Sequence, residues 1–222
     1  PSDQSVDILN DRPPLVLEEP RRDLKGLTVG LPKEYFPADL HAGVRAALDR
    51  TIARVRELGA TVREVSLPHT QYAVPTYYIV APAEAAANLA RFDGVRYGPR
   101  GGATDADLTQ MYRDTRGRGF GPEVRRRILV GTYVLSAGYS HRYYHRAQQV
   151  RGLIARDFDA VFASGIDLLL TPTTPTPAFT AGEKTDDPVA MYLADIFVCP
   201  SSLSGHPAMS LPVGRDGGLP IG

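Results

Sequence analysis

Apolar positions recur along this chain with two different periods, and each change of period marks a change of element. Leu27–Leu31 (LTVGL) is a short apolar run with the length of a buried strand. From Asp39 to Leu58 the residues Leu40, Val44, Leu48, Ile52, Val55 and Leu58 fall three or four apart, which predicts an amphipathic helix, and Gly59 stands where a left-handed residue ends one. Thr61–Ser66 (TVREVS) alternates like a strand. Strand, helix and strand in that order predict a β-α-β unit, hence an α/β sheet.

Further helices are predicted over Thr76–Leu89 despite Pro82, over Ala103–Thr115, over Pro122–Leu135 and, long and amphipathic, over Ser140–Ala163. Asp167–Leu170 (DLLL) is a predicted strand running into TPTTPTP, whose prolines bar helix and favour an extended path. A short helix over Pro188–Phe197 and a last strand over Met209–Gly214 (MSLPVG) complete the pattern. Pro1–Arg22 shows no sustained period and is expected to be an extended connecting segment rather than a domain start. After the Gly-Pro turn signal in GLPIG a hairpin partner strand is expected to be missing, so both chain ends look cut. Residues 1–222 are expected to form part of one domain, with 1–22 as the connecting segment and 23–222 as a sheet-and-helix unit.

Composition changes this picture little. The 222 residues are 43% hydrophobic and 23% charged, which suits a folded domain with a sizeable core. No apolar run approaches the roughly 18 to 20 residues that a membrane helix needs. One cysteine, Cys199, excludes an internal disulfide, and no signal-peptide pattern opens the sequence; a cytoplasmic location and no membrane are expected. Because 25 basic residues balance 25 acidic ones, any contact with nucleic acid would have to be local, although arginines concentrate between Arg91 and Arg127. Taken alone, these arginines are a solvated helical face.

Searched for chemistry, the residues offer no engine. A G-x-S-x-G turn is absent, and Ser201, Ser202 and Ser204 in CPSSLSG suit turn and helix-capping roles. Cys199 has no catalytic signature and is expected to be a buried thiol. His141 and His145, spaced i and i+4, could chelate from one helix face, but no third ligand is evident and a polar helix face is the plainer account. Phosphate-cradling glycine motifs are absent as well.

Five segments nevertheless carry a strong resemblance. They are LKGLTVGLPKEYF (Leu24–Phe36), YYIVAPAEAAANLARFDGVRYG (Tyr77–Gly98), GFGPEVRRRILVGTYVLSAGY (Gly119–Tyr139), DDPVAMYLADIF (Asp186–Phe197) and GHPAMSLPVG (Gly205–Gly214). In order and spacing they resemble the amidase signature family, and within it the A subunits of tRNA-dependent amidotransferases. The resemblance implies an amidase-signature fold, a mixed β-sheet core covered by helices, of which this chain would hold the central and later part. It implies a glutaminase that attacks glutamine with a serine, assisted by a second serine and a lysine. All three precede the segment matched by residues 1–22, so no catalytic residue is expected here. One departure is that the family commonly has asparagine and alanine where CPSSLSG has serines.

Carried over residue by residue, the resemblance assigns Arg127 to the substrate α-carboxylate, Asp195 to its α-ammonium, and Tyr77 to a contact beside them. A planar guanidinium offers paired donors to a carboxylate, and a carboxylate offers acceptors to an ammonium, so a free amino acid would be selected by both charged ends. The resemblance also implies the amidotransferase's B and C subunits as partners, L-glutamine as ammonia source, and glutamyl-tRNA(Gln) and possibly aspartyl-tRNA(Asn) served through the complex. ATP and magnesium would be used by the B subunit. No cofactor or metal is expected in this chain. Two other readings stay open: an amidase-signature hydrolase of simple amides, and a non-catalytic glutamine-binding or assembly module.

Overall fold

The computed structural model describes residues 22–102, 107–184 and 187–222. The expected connecting segment over Pro1–Arg22 and the first residues of the helix expected from Ala103 lie outside them, apart from Arg22. A three-stranded parallel sheet is built from β1 (Thr28–Pro32), β2 (Thr61–Val65) and β3 (Leu168–Leu169), in the order β2-β1-β3. Helix α1 (Ala42–Glu57) connects β1 to β2 and confirms the β-α-β unit. It ends where predicted, with Gly59 at φ +97°, a conformation open to glycine and costly for other residues.

Apolar periodicity decides which faces are buried. Val44, Ala47, Leu48 and Ile52 of α1 lie against the interior. Val44, Ala47 and Leu48 share a core with Leu67, Ile154 and Phe158, which are each about 5% exposed or less. Burying one such aliphatic side chain stabilises the fold by about 1.5–3 kcal/mol. β3 is shorter than DLLL suggested, yet Asp167 and Leu170 donate their N–H groups to the Thr28 and Gly30 carbonyls at 2.9 and 3.0 Å, which extends the pairing past both its ends.

Among the described residues between β2 and β3 lie the α-helices α2 (Ala73–Leu89), α3 (Leu108–Gly119), α4 (Pro122–Leu135) and α5 (Arg146–Ala163). The helix expected from Ser140 begins instead with a π-helical turn over His141–His145. Short helices α6 (Pro188–Leu193) and α7 (Cys199–Ser204) follow, so the helix expected to reach Phe197 stops earlier and continues as turns.

The C-terminal part corrects two expectations. Met209–Gly214 is not a strand, since residues 206–213 have no regular structure and only Gly214 enters one. Met209 and Leu211 are exposed, and Pro212 has no N–H to give a ladder. The hairpin partner is present: β4 (Gly214–Asp216) pairs antiparallel with β5 (Leu219–Ile221). Gly217 and Gly218, at φ +54° and +84°, form the two-residue turn, the left-handed pair that a tight hairpin demands.

Candidate substrate site

Helices α2 and α4 approach each other unusually closely, and a glycine makes this possible. A Cβ placed on Gly131 of α4 would lie 1.9 Å from the Pro82 carbonyl oxygen of α2. One helical turn before each contact residue stand Tyr78 and Arg127, on the same helix faces as Pro82 and Gly131. The close packing therefore brings the tyrosine pair of α2 to the arginine of α4. Pro82, lacking an N–H, also leaves the Tyr78 carbonyl without its usual intrahelical donor.

Arg127 is held on several sides. Its Nε donates to Glu123 Oε1 at 2.9 Å, one turn earlier in α4, while Arg126 pairs with the other Glu123 oxygen at 3.2 Å. Nη1 reaches the Tyr77 hydroxyl at 3.5 Å, and Cζ lies 5.8 Å from the centre of the Tyr78 ring, over its face. Burial works against the guanidinium charge, but the hydrogen bonds to Glu123 and Tyr77 outweigh it and hold Arg127 protonated above its ordinary range.

Tyr78 is the hinge of this cluster. Tyr77 meets it edge-on at 5.0 Å, and Tyr192 of α6 stacks on it at 3.7 Å. Burial raises its hydroxyl well above the phenol range; Arg127 opposes that, and the nearby Tyr192 and Asp195 reinforce it. The phenol therefore stays neutral at physiological pH. Asp195 lies in the turn after α6, exposed, with its N–H on the Tyr192 carbonyl at 3.1 Å and its carbonyl accepting from Val198 and Cys199. Phe197, stacked on Tyr35 at 5.3 Å, ties this turn to the core.

Tyr77 and Arg127 thus meet on one side chain, Tyr78, that sequence reasoning passed over, and Asp195 follows Tyr192, which stacks on the same ring. Tyr192, stacked on Tyr78, and Glu123, paired with Arg127, were missed as well. Glu123 was readable from its i to i+4 spacing to Arg127, whereas no local signal joins Tyr78 to Tyr192. Beside the turn a cavity of about 400 Å³ is lined by hydroxyl and apolar groups including Thr173, Thr174, Phe179 and Ala194.

Other candidates take structural roles. The Ser201 and Ser202 hydroxyls bond to the Val198 carbonyl and that of Ser204 to the Ser201 carbonyl, all within or just before α7. His141 and His145 lie with ring centres 4.6 Å apart, and among the described residues no group of three His, Cys, Asp or Glu side chains could hold a metal. Arg116 binds the carbonyls of Leu89 and Phe92 at the end of α2, so not every arginine of the basic stretch is merely solvated. Among the described residues no helix is long and apolar enough to cross a membrane.

Cys199 is buried, and its thiol is pushed up to about 11, chiefly by burial and further by Asp195. A thiol so protonated reacts slowly, because the thiolate is the nucleophile. Iodoacetamide at pH 8 is expected to label Cys199 at least about tenfold more slowly in the native protein than in denaturant. Equal rates would contradict the buried placement.

Residues 2–222 match the amidase family along the chain. The chain belongs to this family. It is 59% identical over 200 residues to the A subunit of the glutamyl-tRNA(Gln) amidotransferase of Chloroflexus aggregans, covering 90% of this chain and 40% of that protein. The corresponding protein of Carboxydothermus hydrogenoformans is 57% identical over 200 residues, covering 90% and 41%. Among solved structures, the A subunit of the Thermotoga maritima glutamyl-tRNA(Gln) amidotransferase aligns with a TM-score of 0.65 and 37% identity over 90% of this chain and 38% of that one. Another amidase aligns at 0.66 with 24% identity, over 91% of this chain and 42% of that one, which speaks for the amidase fold alone. The chain spans about 40% of the length of the curated relatives it matches.

Proposed function

We propose that this amidase-family chain is the glutamine-reading part of the A subunit of a tRNA-dependent amidotransferase. In that reading Arg127 takes the α-carboxylate, Asp195 takes the α-ammonium, and Tyr77 flanks them. The observation that carries it is an anchored guanidinium over the Tyr78 ring, with the exposed Asp195 in the turn that follows Tyr192, the residue stacked on the same ring. An α-amino acid presents one charge of each sign on a single carbon, which is what such an arrangement complements. Identity of 59% to a protein of this kind supports the same reading.

The nucleophilic serine, second serine and lysine belong to the part of the enzyme that this chain does not span. There the serine oxygen attacks the glutamine amide carbon, ammonia leaves, and water cleaves the acyl-enzyme to glutamate. The ammonia passes to the B subunit, which uses ATP and magnesium on the mischarged tRNA, and the C subunit completes a cytoplasmic heterotrimer. These 222 residues alone are expected to release no ammonia from glutamine; release above a buffer control by the purified chain would contradict the placement.

Substrate analogues test the site itself. With the complete enzyme, 4-carbamoylbutyrate lacks the ammonium and 4-aminobutanamide lacks the carboxylate. Each is expected to be hydrolysed at least about tenfold less efficiently than glutamine, since a hydrogen-bonded contact to a charged group contributes about 1.5–3 kcal/mol. Hydrolysis of both as readily as glutamine would instead favour a hydrolase of simple amides.

A further inference from the structure

A clamp with two charged jaws selects by the distance between them, and these jaws stand on separate elements. Arg127 is on α4 and Asp195 follows α6; among the described residues no ion pair or hydrogen bond joins the two. Helix α6 is six residues long, and its Val189 and Leu193 side chains are 64% and 48% exposed, so those two anchor it weakly. The Phe197–Tyr35 stack ties the Asp195 turn to the core, and a second aromatic contact joins α6 to α2. Tyr192 stacks on Tyr78 with ring centres 3.7 Å apart and planes inclined by 26°. The Tyr78 ring in turn lies under the Arg127 guanidinium, and Asp195 is hydrogen-bonded through its backbone to Tyr192. The chain of contacts runs from guanidinium to ring, from ring to ring, and through the backbone from Tyr192 to Asp195.

We infer that the Tyr78–Tyr192 stack is the spacer that sets the separation of Arg127 from Asp195, and through it the preference for an α-amino acid. This rests on the substrate roles proposed above for those two residues. Tyr192 is a positioning residue, acting through Asp195. Stacking needs the ring and not the hydroxyl. Rings hold a fixed distance with few rotatable bonds, which suits a spacer.

Steady-state glutaminase kinetics of the complete amidotransferase provide the test. Tyr192→Ala is expected to raise KM for glutamine about tenfold, with kcat changed less than about twofold, because it displaces one jaw without touching the reacting amide. Tyr192→Phe is expected to restore most of the affinity. Tyr192→Leu, which fills the volume without a ring, should behave like Ala and serves if the Ala variant folds poorly. In an Asp195→Asn background, where the jaw is already disabled, Tyr192→Ala should add less than about twofold, since residues acting through one another are not additive. Full additivity with Asp195→Asn, or failure of Phe to rescue, would overturn the spacer. If Asp195→Asn raises KM while Tyr192→Ala does not, the spacer falls and the clamp stands. If Asp195→Asn itself leaves KM unchanged, both fall.

Discussion

In a complete enzyme carrying this chain, Arg127→Ala is expected to raise KM for glutamine by about 30-fold or more while leaving thermal stability nearly unchanged. The two halves of that expectation come from different magnitudes. Removing a guanidinium that pairs with a desolvated ligand carboxylate costs about 2–5 kcal/mol, and each 1.4 kcal/mol is about tenfold. The pair that Arg127 makes with Glu123 is instead an i, i+4 contact with side chains 32% and 46% exposed. Such surface pairs contribute about 0.3–0.5 kcal/mol. Binding should therefore fall much further than stability. Arg127→Lys keeps the charge but loses the planar fork and the Nε–H on Glu123, so it should recover only a small part of the affinity. A large fall in melting temperature with unchanged KM would make Arg127 a structural residue.

Gly131→Ala is the second large effect, and it acts through the packing that creates the site. In an open helix interior, replacing glycine by alanine gains about 1 kcal/mol of helix propensity. At Gly131 the added methyl would stand 1.9 Å from the Pro82 carbonyl oxygen, 2.5 Å from its carbon and 2.7 Å from the Ala86 Cβ. Two of those atoms are backbone and cannot rotate away. Overpacking of this kind costs about 1–3 kcal/mol, so the clash outweighs the propensity and the net change is destabilising. Because α2 and α4 must part, Tyr77 and Arg127 part with them, and KM should rise along with the loss of stability. Gly152→Ala in α5, where a Cβ meets nothing within 4 Å, is the matched control and should stabilise. Denaturant melts of the two variants are expected to shift in opposite directions; a shift in the same direction would contradict the close approach.

The sheet-forming half of the chain was legible because its local signals agree. LTVGL, the three- and four-residue spacing of α1, Gly59 and the alternating TVREV each point to the same β-α-β unit. Pro122–Leu135 was read to the residue, with proline at its first turn. The last strand was misplaced because MSLPVG has an apolar pattern without a ladder to satisfy, while the decisive turn signal was Gly217–Gly218 following Asp216 rather than the later Gly-Leu-Pro. Arg127 and Asp195 could be singled out only through family resemblance, since either alone is an ordinary charge on a helix or turn. That Arg127 and Tyr192, three residues before Asp195, both meet Tyr78 is a fact of tertiary packing, set by the Gly131–Pro82 contact and by a stack between residues far apart in sequence.

The most direct measurement is a crystal structure of the complete enzyme with bound glutamate, the product that keeps both α-groups of glutamine. The account predicts the α-carboxylate at about 2.7–2.9 Å from the Arg127 Nη donors and the α-ammonium on the Asp195 carboxylate, with the Tyr78–Tyr192 stack intact beside them. A glutamate bound with its α-groups away from both residues would contradict it.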